Sequence, residues 1–202
     1  MNDHYYTENP ESAHRYAACA YTYRGQEIRF LTDAGVFSRG EMDKGTALLL
    51  DALPEALEGR ILDVGCGWGA VGVSVGKCWP GCAVVMCDVN ARALELAARN
   101  ARENGVTAQT VRSDGLESVP GLFDAILTNP PIRAGKQTIY RIFAQAARQL
   151  KPGGALYLVI RKQQGAESAL RYLREIYEEA ETIEKSGGFW VICCRGGKEH
   201  AV

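Results

Sequence analysis

The stretch that most limits what this chain can fold into is Ile61-Leu62-Asp63-Val64-Gly65-Cys66-Gly67-Trp68-Gly69. Four residues suited to a buried strand run straight into three glycines at alternate positions, and the residues that follow predict a helix over Ala70 to Trp79. Glycines spaced in this way let a backbone turn at positive φ and pass close to a ligand. The helix behind them aims unpaired N–H groups at whatever lies in the loop. A strand, a glycine loop and a helix in that order form a site for a nucleotide-like cofactor.

Two cofactors fit such a loop. Gly67-x-Gly69-x-x-Gly72 has the spacing of a dinucleotide fingerprint, and Asp88, at the end of the next strand-like run, stands where a ribose-binding acid would. Register favours the other choice. The first glycine after the strand is Gly65, so the repeat is Gly-x-Gly-x-Gly, and Asp63 lies inside the strand where a dinucleotide fold carries an apolar residue. A carboxylate at that depth suits a cofactor that carries a cationic amine. Asp63-x-Gly65-x-Gly67-x-Gly69 together with Asp88 resembles motif I and the second-strand acid of class I S-adenosylmethionine-dependent methyltransferases.

The chain has 202 residues, the size of one large α/β domain. Its 23 basic residues face 24 acidic ones, so any contact with nucleic acid must come from a local patch. Six of the seven cysteines, Cys66, Cys78, Cys82, Cys87, Cys193 and Cys194, lie in or beside apolar runs, where a thiol behaves as a small hydrophobe. They are expected to be reduced core residues. No signal-peptide core and no long apolar run is present, and the expectation is a soluble, cytoplasmic protein without a membrane partner or a metal.

Residues 1–20 read as a polar arm. Tyr21-Thr22-Tyr23 and Ile28 to Thr32 read as strands joined at Arg24-Gly25, with Val36-Phe37 starting again after a second turn. Ser38 to Thr46 is a loop feeding a helix that carries Leu49, Leu50 and Leu53 and ends by Pro54. Beyond the glycine loop, strands and helices alternate. Ala83 to Cys87, Val106 to Val111, Phe123 to Thr128 and Ala155 to Ile160 are the strands. Asn90 caps one helix and Gly105 closes it; another runs from Ile139 to Leu150 and stops at Lys151-Pro152-Gly153-Gly154. Leu170, Leu173 and Tyr177 mark the last helix. Thr182 to Lys185 and Phe189 to Cys194 follow as an antiparallel pair around Ser186-Gly187-Gly188, and Gly196 to Val202 form a tail. One domain is expected, with residues 1–37 as arm and β extension, 38–195 as catalytic core and 196–202 as tail.

Thr128-Asn129-Pro130-Pro131-Ile132 ends the fourth core strand, where open α/β sheets bind ligands. Two prolines fix φ and force the residues before them into extended conformations. The result is a stiff corner with two outward acceptors, the Asn129 side-chain oxygen and the Pro130 carbonyl. Two fixed acceptors match an –NH₂ group. Holding both N–H bonds of a planar amine turns its lone pair toward an incoming methyl group, and positioning can then supply most of the catalysis. A strong base is not required, so His4, His14 and His200 are expected to be solvated terminal residues.

Asn-Pro-Pro followed by an apolar residue resembles the signature of amino-methyltransferases, which act on exocyclic amines of adenine or guanine or on the glutamine side-chain amide. A narrower resemblance covers nearly the whole chain. His4-Tyr5-Tyr6-Thr7, Phe37-Ser38, Asp43-Lys44-Gly45-Thr46, the glycine loop and Asn-Pro-Pro-Ile-Arg-Ala-Gly-Lys look like the small-domain methyltransferase family, which includes the 16S ribosomal RNA guanine-N2 enzymes.

That resemblance implies a Rossmann-like α/β fold. Its mostly parallel seven-stranded sheet would run in the order 3-2-1-4-5-7-6, with helices on both faces and a small N-terminal antiparallel extension. It implies S-adenosylmethionine as cofactor, held by Phe37, Ser38, Gly45, Thr46, Asp63, Gly65, Cys66, Gly67, Gly69, Asp88, Val89, Ser113, Asp114 and Asn129. Asp63 would lie near the methionine amine, Asp88 at the ribose hydroxyls and Ser113-Asp114 at the adenine. Asn129, Pro130, Pro131 and Ile132 would orient the target amine. Arg133, Lys136, Arg161 and Lys162, with Arg39 and Lys44, could form a basic rim for phosphates, and the partner would be ribosomal RNA or the small ribosomal subunit.

Two features set the chain apart. The better-known guanine enzymes carry two copies of the domain, and the resemblance here covers one. Position 132 is Ile, where many nucleic-acid amino-methyltransferases place an aromatic ring against the target base. Methylation of adenine or of a protein glutamine are the alternatives within the same chemistry, and a non-catalytic RNA-binding module that kept the cofactor pocket is the alternative outside it. The modified nucleotide and the oligomeric state are not legible in the residues.

Overall fold

The computed structural model of the protein describes residues 14–33 and 40–198. Expectations placed on His4, on Val36 to Arg39 (including the cofactor residues Phe37 and Ser38) and on His200 lie outside the described residues.

A two-stranded antiparallel sheet comes first, β1 (Ala17–Tyr23) against β2 (Gln26–Thr32). Arg24 and Gly25 both have positive φ, the geometry of a two-residue turn whose twist matches the strands it joins. The main sheet has seven strands: β3 (Gly59–Val64), β4 (Cys82–Asp88), β5 (Ala108–Arg112), β6 (Phe123–Thr128), β7 (Leu150–Arg161), β8 (Tyr177–Ser186) and β9 (Phe189–Gly197). Their spatial order is β5-β4-β3-β6-β7-β9-β8, which, counting these core strands alone, is the expected 3-2-1-4-5-7-6. Pairing is parallel from β5 through β7, and β9 and β8 close the edge antiparallel.

Five helices cover the sheet: α1 (Lys44–Asp51), α2 (Ala70–Cys78), α3 (Ala91–Glu103), α4 (Lys136–Gln149) and α5 (Ala166–Ile176). One apolar layer packs β3, β4 and β7 against α1, α2 and α3, with Leu49, Ile61, Val73 and Met86 at its centre. The other packs the opposite face against α4 and α5 around Leu62, Phe123, Ile126, Phe143 and Tyr177. A strand buried on both faces favours a continuous apolar run, which β4 has up to Asp88, while the runs of β3 and β6 are interrupted by Asp63 and Asp124.

Helix ends follow local chemistry. Asn90 accepts from the Ala93 N–H as N-cap of α3. At the other end the Gly105 and Val106 N–H groups return to Arg102 and Ala101, with Gly105 at positive φ.

The small sheet is held to α3 by two asparagines. Asn100 accepts from the Leu31 N–H at 2.8 Å and donates to the Leu31 carbonyl at 2.9 Å. Asn104 does the same for Arg29, at 3.0 and 2.7 Å. Four residues of helix rise about 6 Å and two of strand span about 6.6 Å, so side-chain amides one turn apart satisfy alternate residues of an edge strand. Asn100 also donates to the Trp68 carbonyl at 2.8 Å, which ties the glycine loop to the same clamp.

Several boundaries differ from the expected ones. Strand β7 begins at Leu150, so the Lys-Pro-Gly-Gly stretch lies within it; Gly154 passes so close to β6 that a Cβ there would stand 2.9 Å from the Phe123 carbonyl. Strand β5 starts at Ala108, because Val106 is spent closing α3. Tyr177 opens β8 and does not belong to α5; its hydroxyl donates to the Phe143 carbonyl at 3.0 Å. Strand β9 runs to Gly197, into the segment expected as tail, where only a glycine fits against the Ala147 backbone. His14 is paired with the buried Asp33 at 2.5 Å instead of being merely solvated. All seven cysteines are free.

Candidate active site

The C-terminal ends of β3, β4, β5, β6 and β7 converge on one cavity of about 590 Å³, within the range of small-molecule sites. The glycine loop forms its floor. Gly65, Gly67 and Gly69 have φ of 68°, 54° and 87°, which accounts for glycine at every second position. A Cβ at Gly67 would meet no atom within 4 Å, so a side chain there would fill space the loop keeps open.

Asp63 is fully buried at the end of β3 and borders the cavity. Its Oδ2 accepts from the Gly72 N–H at 2.8 Å, which joins it to the first turns of α2. Among the described residues no ion pair reaches it. Burial pushes its carboxyl up to about 7, Gly72 pulls it down and Asp88 adds to the rise. Asp88 ends β4, and its two oxygens accept from the N–H groups of Gly67 and Asn90, each at 2.9 Å. Burial raises it too, against the pull of those backbone bonds. A carboxylate has about four acceptor sites, so both acids keep capacity for a ligand. Cys66 borders the cavity, but burial holds its thiol well above the ordinary range, so it stays neutral.

Val89, Ser113 and Asp114 form the adjoining wall. Ser113 is held by its N–H to the Asp88 carbonyl at 3.0 Å, and Asp114 pairs with Arg141 at 2.7 Å. Asn129, Pro130, Pro131 and Ile132 form the opposite wall, where β6 gives way to a 3-10 turn over Ile132–Ala134. The Asn129 Nδ2 donates to Asp43 Oδ2 and to Thr46 Oγ1, both at 3.0 Å. With both N–H bonds so used, the side-chain oxygen is the group left for the cavity.

Five of the expected site residues, Lys44 of the basic rim among them, do not border the cavity. Gly69 caps α2 behind the loop and packs on Ala97 of α3. Gly45 lies under the Phe189 ring. Lys136 turns its ammonium over Tyr140, 5.0 Å from the ring centroid, and Lys162 approaches Glu167 at 3.9 Å. Of the basic rim, Arg133 and Arg161 reach the cavity. Trp68 packs against Phe30 at 4.7 Å and also forms part of the wall.

Two contributors were not anticipated. Asp43 borders the cavity as N-cap of α1 and anchors Asn129. Phe189 comes from β9, directly opposite Arg161 in the antiparallel register, and the Arg161 guanidinium lies 4.5 Å from its ring centroid. The aromatic immediately after Ser186-Gly187-Gly188 was the available signal for Phe189: with β9 between β7 and β8, the first residue after the turn falls beside the C-terminal end of β7.

A model of the methyltransferase small domain matches residues 27–193. Uncharacterized protein YbxB of Bacillus subtilis is 41% identical over 95% of this chain and 98% of its own. Ribosomal RNA small subunit methyltransferase C of Hahella chejuensis is 45% identical over 65% of this chain and 40% of its own. Among solved structures, a T. thermophilus 16S rRNA N2 methyltransferase in complex with AdoMet and guanosine superposes with a TM-score of 0.82 and 27% identity, covering 93% of this chain and 52% of that one. This chain thus spans about half the length of those two methyltransferases. By the family match, the sheet order and the glycine loop, the chain belongs to the methyltransferase small domain family of S-adenosylmethionine-dependent methyltransferases.

Proposed function

We propose that the chain methylates the exocyclic N2 amine of a guanine in 16S ribosomal RNA. The observation that carries this reading is the Asn129–Pro130 corner. It borders the same cavity as the buried Asp63, the half-buried Asp88 and the glycine loop, and its amide N–H bonds are already committed.

The residues present fit the cofactor. Asp63 is a buried carboxylate with no cationic partner among the described residues, which a cationic amine would satisfy, and Asp88 retains acceptor capacity for hydroxyls. When bound, S-adenosylmethionine supplies a methyl group on a sulfonium centre. The Asn129 side-chain oxygen and the Pro130 carbonyl would accept the two N–H bonds of the target amine and turn its lone pair toward that carbon. With the methyl group passed from the sulfonium, the amine nitrogen would carry the positive charge beside these two acceptors until it released a proton to water. Both acceptors face the atom where positive charge develops, so they act on the transition state more than on the ground state.

Ile132 would pack on the base ring. Phe189 backs that wall as a buried residue with the Arg161 guanidinium over its ring, and Arg161 and Arg133 would meet flanking phosphates. The likeness to ribosomal RNA guanine enzymes supports the choice of substrate.

Incubation with labelled S-adenosylmethionine and, in parallel, small ribosomal subunits, bare 16S rRNA and release factor tests this. Label in RNA that digests to N2-methylguanosine is expected. Label in protein alone, or in adenosine, overturns the substrate assignment.

A further inference from the structure

We infer that Asp43 is a positioning residue for this transfer: together with Thr46 it locks the Asn129 carboxamide so that only an oxygen faces the cavity, which restricts the site to a target atom that donates a hydrogen bond. The inference rests on the amine-methylating reading above and adds the device that sets its polarity.

Asn129 and its two partners are 86 and 83 residues apart in the chain, brought together where α1 crosses the end of β6. Asp43 is itself fixed. Its Oδ2 accepts from the Thr46 N–H at 3.0 Å as the N-cap of α1, and the same oxygen accepts from Asn129 Nδ2. Thr46 is buried. A carboxamide is planar, so a nitrogen held on the α1 side sends its oxygen the other way. Turning the amide over would set that oxygen against the Asp43 carboxylate with no proton between them. The carboxylate prevents the flip by electrostatics as well as by hydrogen bonding.

A flipped Asn129 would present a donor to the cavity and would welcome a ring carbonyl or an unprotonated ring nitrogen. The locked one rejects both and accepts from an –NH₂ group. The carboxylate also polarises the amide, so that its oxygen carries more negative charge where the methylated nitrogen becomes cationic. Gly45 explains how the lock fits. Its missing side chain would stand 2.8 Å from the Phe189 ring and 3.0 Å from Asp43 Oδ2, so the first turn of α1 is wedged between the Asn129 lock and the buried Phe189 ring.

The test changes the charge on each side of the contact, using 16S rRNA or small subunits and labelled S-adenosylmethionine. Asp43→Ser keeps an N-cap but is too short to reach Asn129. It is expected to melt within a few degrees of wild type and to lose at least tenfold in kcat. Asn129→Asp places two carboxylates in contact and is expected to lose at least 100-fold. Adding Asp43→Ser to it removes the like charge while keeping a cap on α1, and is expected to recover at least tenfold of that loss.

Absence of recovery in the double variant, or a wild-type rate in Asp43→Ser, overturns the role of Asp43 while leaving the proposed function intact if Asn129→Ala is inactive. Full activity in Asn129→Ala overturns both. A readout independent of turnover is the Asn129 side-chain amide in a nitrogen–proton NMR spectrum, assigned by its loss in Asn129→Asp. Slow exchange in wild type that becomes fast in Asp43→Ser supports the lock, and unchanged exchange removes it.

Discussion

Phe189 and Arg161 face each other across the β7–β9 register with the guanidinium 4.5 Å from the ring centroid, and both border the cavity beside Asn129. The antiparallel edge of the sheet therefore contributes to the site, although the parallel strands carry the cofactor loop. Phe189→Ala should remove the support beneath the Arg161 guanidinium and cost about 3–5 kcal/mol of stability, as truncation of a buried aromatic does. Phe189→Tyr should retain most activity. Cofactor affinity should not move in either, which titration of S-adenosylhomocysteine by calorimetry checks.

The affinity for a cofactor with a cationic amine should depend on pH through Asp63. In the free protein burial pushes its carboxyl up to about 7. Between its ordinary value near 4 and that point the folded chain holds a proton that the unfolded chain has released, so this group lowers stability as pH rises through the window. The cationic amine binds the ionised form. Affinity should thus rise roughly tenfold per pH unit from pH 5.5 toward 7 and level off above it, and Asp63→Asn should abolish the slope. An affinity that is flat between pH 5.5 and 7.5 in the wild type would remove Asp63 from the amine site.

The α/β alternation, the glycine loop and the Asn-Pro-Pro corner were legible because each is a local pattern: runs of apolar residues, three glycines that need positive φ, two prolines that stiffen a strand end; the sheet order came from the family resemblance. What escaped was decided by distant partners. Glu178-Glu179-Ala180-Glu181 is built of good helix formers, yet it lies in β8, an edge strand whose charges discourage further pairing. Lys151 to Gly154 has the composition of a turn, and its place in β7 depends on the passage beside β6. Asp43 reads locally as a helix cap; its contact with Asn129 exists only once α1 lies across the sheet.

The asparagine clamp should contribute as a buried polar cluster, since Asn100 and Asn104 are both buried. Asn100→Ala leaves the Leu31 N–H and the Leu31 and Trp68 carbonyls without their partner. A cost of about 2–3 kcal/mol follows from unsatisfied buried groups, which is roughly 5–10 °C in melting temperature at this size. Amide exchange at Leu31 should accelerate before that of β3 or β6. Equal protection in variant and wild type would show that the small sheet is held by its apolar face alone.

The basic residues should separate by position. Arg133 and Arg161 border the cavity, while Lys136 and Lys162 turn toward Tyr140 and Glu167. Charge reversal at Arg133 should weaken RNA binding and lower the slope of log affinity against log salt by roughly 0.7–0.9 per lost phosphate contact. Reversal at Lys162 should do less. Filter binding over a salt series reads both, and equal effects would mean that the charges act as a diffuse field.

The most direct measurement is mass spectrometry of 16S rRNA nucleosides from cells lacking the gene, complemented with the wild-type chain or with Asn129→Ala. Loss of one N2-methylguanosine on deletion, its return with the wild-type chain and its continued absence with Asn129→Ala are predicted. An unchanged N2-methylguanosine content on deletion, or full restoration by Asn129→Ala, would contradict the account.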